Sequence, residues 1–322
     1  MTRSPQGGVG RSHPSFWIVV LVGLAAALAS ALLVGGARSA SQPQGLIAFT
    51  RGSIYVMNAD GSDVRLLWRG FARELAWSPD GQRLAFVADR RIWVMGADGS
   101  RPARLTSRVR GDFYGLTSPS LSPDGRRIAY SYAPKDDVNR DVWVMNADGS
   151  NKRRLARTPD CSEVDVDWSP KGDRLVTTCE WGWGTRDLRL MKADGSAVSR
   201  LLGHKGGVPA SEPDWSPDGR RIAFARFERG DWRMGIYLIN AAGGSPVRLS
   251  PHGVNASDRE PTWSPDGRRI AFAHVSMRLE GDVMYYEQPA GIYVMNADGT
   301  SVTTLTLIQG DQSPAWQPRA AP

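Results

Sequence analysis

Along this chain, short apolar runs recur at even intervals, each closed by turn-forming residues. Leu46-Ile-Ala-Phe and Ile54-Tyr-Val-Met-Asn are two of them, rich in the β-branched and aromatic types that suit strands. The longest complete unit shows the order. Trp263 ends an extended run, and Ser264-Pro-Asp-Gly267 supplies residues a type I turn wants at successive positions. Arg269-Ile-Ala-Phe-Ala is then a second strand, and after a variable connection Gly291-Ile-Tyr-Val-Met-Asn is a third. Ala297-Asp-Gly299 turns the chain into a fourth, Ser301-Val-Thr-Thr-Leu. The unit is therefore a four-stranded antiparallel meander, with strands A to D joined by tight turns at A–B and C–D.

The unit repeats. Trp77-Ser-Pro-Asp-Gly81 returns at 121–125, 168–172, 215–219 and 263–267, with a truncated copy at Trp316-Gln-Pro318. Asn58-Ala-Asp-Gly61 returns at 96–99, 146–149, 192–195, 240–243 and 296–299. From Trp77 to Trp316 is 239 residues over five intervals, a period of about 48 that suits propeller blades rather than helical solenoids. The first copy starts at strand B, and its missing strand A stands at the other terminus as Ser313-Pro-Ala-Trp316. Pairing the two termini in one blade closes the ring and removes open sheet edges. The expected fold is all-β: a six-bladed β-propeller over residues 46–318, one domain in 322 residues.

The repeated Glu-x-Pro-x-Trp-Ser-Pro-Asp-Gly, followed by Ile-Ala-Phe and Ile-Tyr-Val-Met-Asn-Ala-Asp-Gly, resembles the TolB-type β-propeller repeat, a WD-like repeat. The resemblance covers about residues 46 to 318. It implies the fold strongly and the function weakly, because one fold hosts many activities. TolB proper is a periplasmic component of the Tol-Pal envelope system with an additional α/β domain before its propeller. Only about ten residues separate the leader of this chain from its first strand, so a Tol-Pal role is not implied. Similar repeats form the gating propeller of prolyl-oligopeptidase-type peptidases. The chain has no Gly-x-Ser-x-Gly elbow, which sets a covalent peptidase aside.

Residues 16–34 form an uncharged apolar run of 19 residues behind Arg3 and Arg11. That length is near the roughly 20 residues of a membrane-crossing helix, and the basic flank favours a cytoplasmic N-terminus. Residues 1–40 are thus read as a cytoplasmic tip plus either a retained anchor or a cleaved signal peptide, with a small-residue site at Gly35-Gly-Ala37. The remainder would be periplasmic or extracellular. In such a compartment Cys161 and Cys179, which flank the 169–172 turn almost symmetrically, read first as a disulfide and otherwise as two buried thiols.

The net charge of +7 hints at nucleic acid until it is placed. Removing the first forty residues leaves 37 basic against 33 acidic residues. Many of the former follow the Ser-Pro-Asp-Gly turns, as in Arg126-Arg127, Arg220-Arg221 and Arg268-Arg269, interleaved with the turn Asp residues. No nucleic-acid partner is expected. Gly 35 and Pro 21 are explained largely by the tight turns.

In an antiparallel meander all A–B and C–D turns lie on one side of the disc, which is uniform here. The opposite side carries the B–C and D–A connections, whose lengths vary, and recognition usually resides on such loops. Its aromatic and Arg residues Trp181, Trp183, Trp232, Arg233, Tyr285 and Tyr286 are candidate contacts, with edge covering as the alternative. The last B–C connection is expected to run from about Val275 to Ala290 as a long loop. Strand A also starts on this side. Three residues before the motif Trp (or Leu121) stand Glu74, Ser118, Asp165, Glu212, Glu260 and Ser313. With strand A innermost, as in the TolB-type family, Glu74, Asp165, Glu212 and Glu260 rim the central channel. They either hold a divalent cation or basic segment, or accept hydrogen bonds from a neighbouring blade's backbone, the favoured role.

His204 and His252 each lie eleven residues before the next motif Trp, and His274 ends a B strand toward the same face. Three histidines on one face would suit a transition metal, though their spacing is not a ligand motif. The resulting expectation is an exported propeller acting as a protein- or peptide-binding or scaffold module of the cell envelope. It needs no cofactor, touches the membrane only through its N-terminal segment, and is expected to be a monomer. The alternative is a metal-dependent lyase or hydrolase acting on a polymer through those histidines.

Overall fold

The structure is a computed structural model that describes residues 45–107, 116–134, 137, 139–181, 185–203, 208–228, 233–251, 256–280 and 283–318, with side chains at 116, 278–280 and 283–289 left aside. Six four-stranded antiparallel sheets form it. Blade 1 pairs Gln312–Trp316 with Leu46–Arg51, Ser53–Asn58 and Arg65–Trp68, so the two ends of the fold share one sheet. The other blades are consecutive in sequence, beginning at Ala72, Leu116, Ser162, Ala210 and Ala256. Strand A of each blade touches strand A of the next, and the sixth touches the first, which closes a ring around a central channel. Among the described residues no helix is long and apolar enough to cross a membrane, and the apolar run at 16–34 lies outside them.

The Ile-Ala-Phe signature of strand B has a directional meaning. Ile47 and Phe49 face blade 6 while Ala48 faces blade 2. In blade 5, Ile222 and Phe224 face blade 4 and Ala223 faces blade 6. Alternate side chains leave a strand on opposite faces. The bulky residues therefore fill the junction with the preceding blade, and the small one admits the motif Trp of the following blade. Both faces of strand B are buried, and Phe49, Phe86, Phe224 and Phe272 are at most 1% exposed. The hydrophobic core is thus six radial wedges between blades.

The turns close as their residues dictate. In Ser78-Pro-Asp-Gly81 the Gly81 N–H bonds the Ser78 carbonyl at 2.8 Å, and the Asp80 carboxylate accepts the Gln82 N–H at 3.0 Å. Blade 4 has Lys171 in place of the Asp, and Asp173 takes over by accepting the Ser169 hydroxyl at 2.7 Å. The glycine of the C–D turn also packs between blades. Gly195 has φ +88°, and a Cβ there would lie 2.0 Å from the Leu155 carbonyl oxygen of the preceding blade.

One expected loop is instead strand. Blade 6 continues its B and C strands to Arg269–Glu280 and Val283–Asn296, past a register shift between Val275 and Ser276. The segment expected as a B–C loop is a projecting hairpin, because its backbone groups pair with each other.

Candidate functional site: the channel mouth

Every strand A breaks its pairing with strand B at the same place, between Arg73 and Ala76 in blade 2 and between Arg259 and Thr262 in blade 6, for example. At each break one non-glycine residue takes a left-handed backbone: Glu74, Ser118, Asp165, Glu212, Glu260 and Ser313, with φ between 48° and 55°. These are β-bulges, which re-aim a side chain and free a backbone N–H. The residue after the bulge is Pro119, Pro213, Pro261 or Pro314 in four blades, and proline suits a bulge because it has no N–H to leave unpaired.

The re-aimed side chains line the mouth of a channel of about 940 Å³. They link neighbouring blades in one direction. The Glu212 carboxylate accepts the Glu260 N–H at 2.7 Å, and that of Asp165 accepts the Glu212 N–H at 3.2 Å. Glu74 accepts the Ser118 N–H, Glu260 accepts the Ser313 N–H, and the Ser118 hydroxyl donates to Asp165 at 3.3 Å. Arg73 pairs with Glu74.

Two residues deeper lies a second ring that the sequence reading missed: Ala76, Ser120, Asp167, Asp214, Thr262 and Ala315. Here the polar side chain accepts the N–H of the next blade's motif Trp. Asp167 holds Trp215 at 3.0 Å, Asp214 holds Trp263 at 2.8 Å, and Ser120 holds Trp168 at 3.1 Å. Ser120 also donates to Asp167 at 2.8 Å. The signal was present as the polar residue directly before each of these motif residues.

Burial of these acids has an electrostatic consequence. Burial pushes the Glu212 carboxyl up to about 8, helped by the charges of Glu260 and Asp165. Burial likewise lifts Glu74 to about 7 against the opposing pull of Arg73, and lifts Asp167 to about 6. Asp214 is raised well above the usual carboxylate range, by burial and then by Asp167.

Below the second ring four of the five motif Trp residues carry a guanidinium from the preceding blade, while the Trp77 indole N–H bonds the Ala315 carbonyl at 3.0 Å. Arg127 lies over Trp168 at 4.8 Å, Arg174 over Trp215 at 5.2 Å, Arg221 over Trp263 at 4.8 Å and Arg269 over Trp316 at 4.9 Å. Blade 3 has Leu121 instead, and there Arg83 turns to the Gly125 carbonyl at 3.3 Å. A planar guanidinium stacks on an indole where an ammonium does so less well, which accounts for Arg at these positions.

The four rim carboxylates are brought together. Those loop-face residues that the structure describes lie on three separate blades. Trp181 is half-buried at the end of a blade 4 strand with Arg189 over its ring at 5.7 Å, and Arg233 is half-buried just before strand C of blade 5. Tyr285 and Tyr286 belong to the projecting hairpin of blade 6, opposite Arg278 and Met277. Trp183, Trp232, His204 and His252 lie outside the described residues. His274 is engaged within blade 6, its Nδ1 2.6 Å from Asp258 and its ring 4.4 Å from Tyr293. Among the described residues no three His, Cys, Asp or Glu are disposed to hold a metal ion. Cys161 and Cys179 are joined in a buried disulfide at the start of blade 4, with Cα atoms 5.6 Å apart.

Residues 47–211, just over half of the chain, match the TolB β-propeller domain model. The chain belongs to the TolB β-propeller family. It is similar to an uncharacterised protein of Agrobacterium fabrum, 29% identical over 205 residues that cover 56% of this chain and 64% of that one. It is also similar to a TolB homolog of Chlorobium luteolum, 30% identical over 154 residues covering 46% of this chain and 32% of the homolog. The match thus spans less than two thirds of either relative. Among solved structures, TolB from Acinetobacter baumannii superposes with a TM-score of 0.67 at 22% identity, over 85% of this chain and 67% of that one. That likeness is one of fold.

Proposed function

We propose that this TolB-type propeller is an extracytoplasmic binding module that takes a protein segment at its channel mouth and the surrounding loop face. The observation that carries the reading is the rim itself. Glu74, Asp165, Glu212 and Glu260 converge on one opening, and each is already bonded on one side to a backbone N–H or hydroxyl. A cationic or N–H-rich segment entering the mouth relieves their mutual repulsion, so complementarity favours that class of partner.

The path of the chain supports the same orientation. Leu46 pairs with Asn58 at the start of a C–D turn, so the N-terminal segment joins the propeller on the tight-turn side. If residues 16–34 are retained as an anchor, the mouth would face away from the membrane. The disulfide agrees with an oxidising compartment outside the cytoplasm.

Photo-crosslinking in native envelopes tests the reading, with the reactive group placed at Ser118 or Ser313 on the rim, or at Arg126 or Arg268 on the tight-turn side. The expected result is one protein captured from the rim positions and lost in Glu212→Gln/Glu260→Gln. Capture equally from both faces, or capture indifferent to the double substitution, refutes it. A reporter fused after residue 45 that stays active only in the cytoplasm refutes export.

A further inference from the structure

The mouth is not the only recess on the loop face. A second one, of about 470 Å³, lies at the junction of blades 1 and 2 between Trp68, Phe71, Arg73, Trp93 and the Asp89-Arg90 turn. Its size falls within the few hundred Å³ of small-ligand pockets. It arises from local departures from the repeat. Strand D of blade 1 runs over Arg65–Trp68, where four other blades have two residues, and it carries Trp68 against Phe86 of blade 2 at 5.0 Å. Gly70, at φ +128°, follows without a side chain, and a Cβ there would come within 2.8 Å of the Trp68 ring. Phe71 is 62% exposed, a large apolar side chain left at the rim of the recess.

The other wall is unusual in its backbone. Strands B and C of blade 2 are joined by two residues, Asp89 and Arg90, with φ +49° and +57°. Such a turn favours Asn or Gly, and a bulky residue held there costs of order 1–3 kcal/mol. Strain of that kind is retained where the side chain has work to do. Arg91 pairs with Asp89, whereas Arg90 has no ionic partner among the described residues.

We infer that this recess binds an acidic sugar, a pyranose ring bearing a carboxylate. Sugar C–H groups, polarised by neighbouring oxygens, rest on the electron-rich faces of aromatic rings. Arg90 meets the carboxylate, and the paired Asp89 and Arg91 offer an acceptor and donors to adjacent hydroxyls. The surrounding arginines disfavour a cationic guest. An extended peptide is disfavoured for a separate reason: nearby backbone groups are already taken. The Gly70 N–H goes to the Ser53 hydroxyl at 3.2 Å, the Ala72 N–H to the Gly52 carbonyl at 2.9 Å, and the Ala88 carbonyl to the Trp93 indole at 3.1 Å.

Calorimetric titration of the purified propeller tests this with a matched pair of probes, tetramannuronate and the neutral mannotetraose, and with an acidic phenylalanine-bearing peptide. Saturable tetramannuronate binding is expected, at least about fivefold weaker in Phe71→Ala and in Arg90→Gly, which is ~1 kcal/mol each. Mannotetraose should bind more weakly than its acidic counterpart. Arg90→Gly should also leave the melting temperature unchanged or higher, since glycine relaxes the turn. Absence of saturable tetramannuronate binding overturns the inference. So does binding that both variants retain, or preference for the neutral sugar or the peptide.

Discussion

The carboxylate of Glu212 and the backbone N–H of Glu260 stand 2.7 Å apart, and both residues hold a left-handed backbone to make that contact. The side chain of one blade secures the bulge of the next, and Glu260 repeats the gesture toward Ser313. A single local distortion, repeated six times, thus makes both the inter-blade link and the acidic mouth. Its cost, about 1 kcal/mol or more per left-handed residue, is offset by a hydrogen bond to an otherwise unpaired N–H.

Because burial raises Glu212 to about 8 and Glu74 to about 7, these groups hold protons more tightly in the folded state than in the unfolded chain, where a glutamate ionises near 4.5. Stability from them is complete below pH 4.5 and is lost as pH rises through 7 and 8. The melting temperature of the wild type should therefore fall by a few degrees between pH 5 and 8. Glu212→Gln, whose amide oxygen still accepts the Glu260 N–H, should flatten that slope in thermal scans. An unchanged slope would show that channel water, not burial, sets the protonation of Glu212.

Arg221 and Trp263 predict a second outcome. Replacing the guanidinium stacked at 4.8 Å with the ammonium of Arg221→Lys keeps the charge and loses the planar contact. Denaturant titration should register a loss of ~0.5–1 kcal/mol. The same change at Arg126, which is exposed, should register almost nothing.

Two glycines separate backbone strain from blade packing. Gly195 and Gly243 both have left-handed backbones, at φ +88° and +96°, but a Cβ at Gly195 meets the Leu155 carbonyl at 2.0 Å and one at Gly243 meets nothing within 4 Å. Gly243→Ala should cost ~1 kcal/mol, the left-handed penalty alone. Gly195→Ala should cost at least ~1 kcal/mol more, because blade 4 must shift away from blade 3. Equal losses in chemical denaturation would mean that the junction yields freely.

The disulfide closes 18 residues of chain around the start of blade 4. Its removal in Cys161→Ser/Cys179→Ser should lower stability by ~2–3 kcal/mol through the freer unfolded chain. Thiol titration of the unfolded, unreduced wild type should find no reactive group, and two would contradict the bond.

The repeat, the strand order and the closure of the ring were all legible in the chain, because Ser-Pro-Asp-Gly and Asn-Ala-Asp-Gly are local turn chemistry and need no distant partner to be read. The rim carboxylates were legible as equivalent positions, three residues before each motif Trp or its Leu. Asp167 and Asp214 were overlooked although they adjoin the same motif residues. The blade 6 hairpin was misread as a loop, since pairing with a neighbouring strand, not composition, made Val275 to Ala290 extended.

By itself, then, the sequence determined which segments are strands, where they turn, and that six copies form one ring, since those follow from propensities acting over a few residues. Only the tertiary structure decided what the copies do to each other. It set the left-handed bulge that aims Glu212 into the channel, the Arg221 guanidinium over Trp263, and the recess between Trp68 and Arg90. Each of these joins residues of different blades. Such contacts depend on how closed sheets pack around an axis, and no periodicity in one chain encodes that distance or direction.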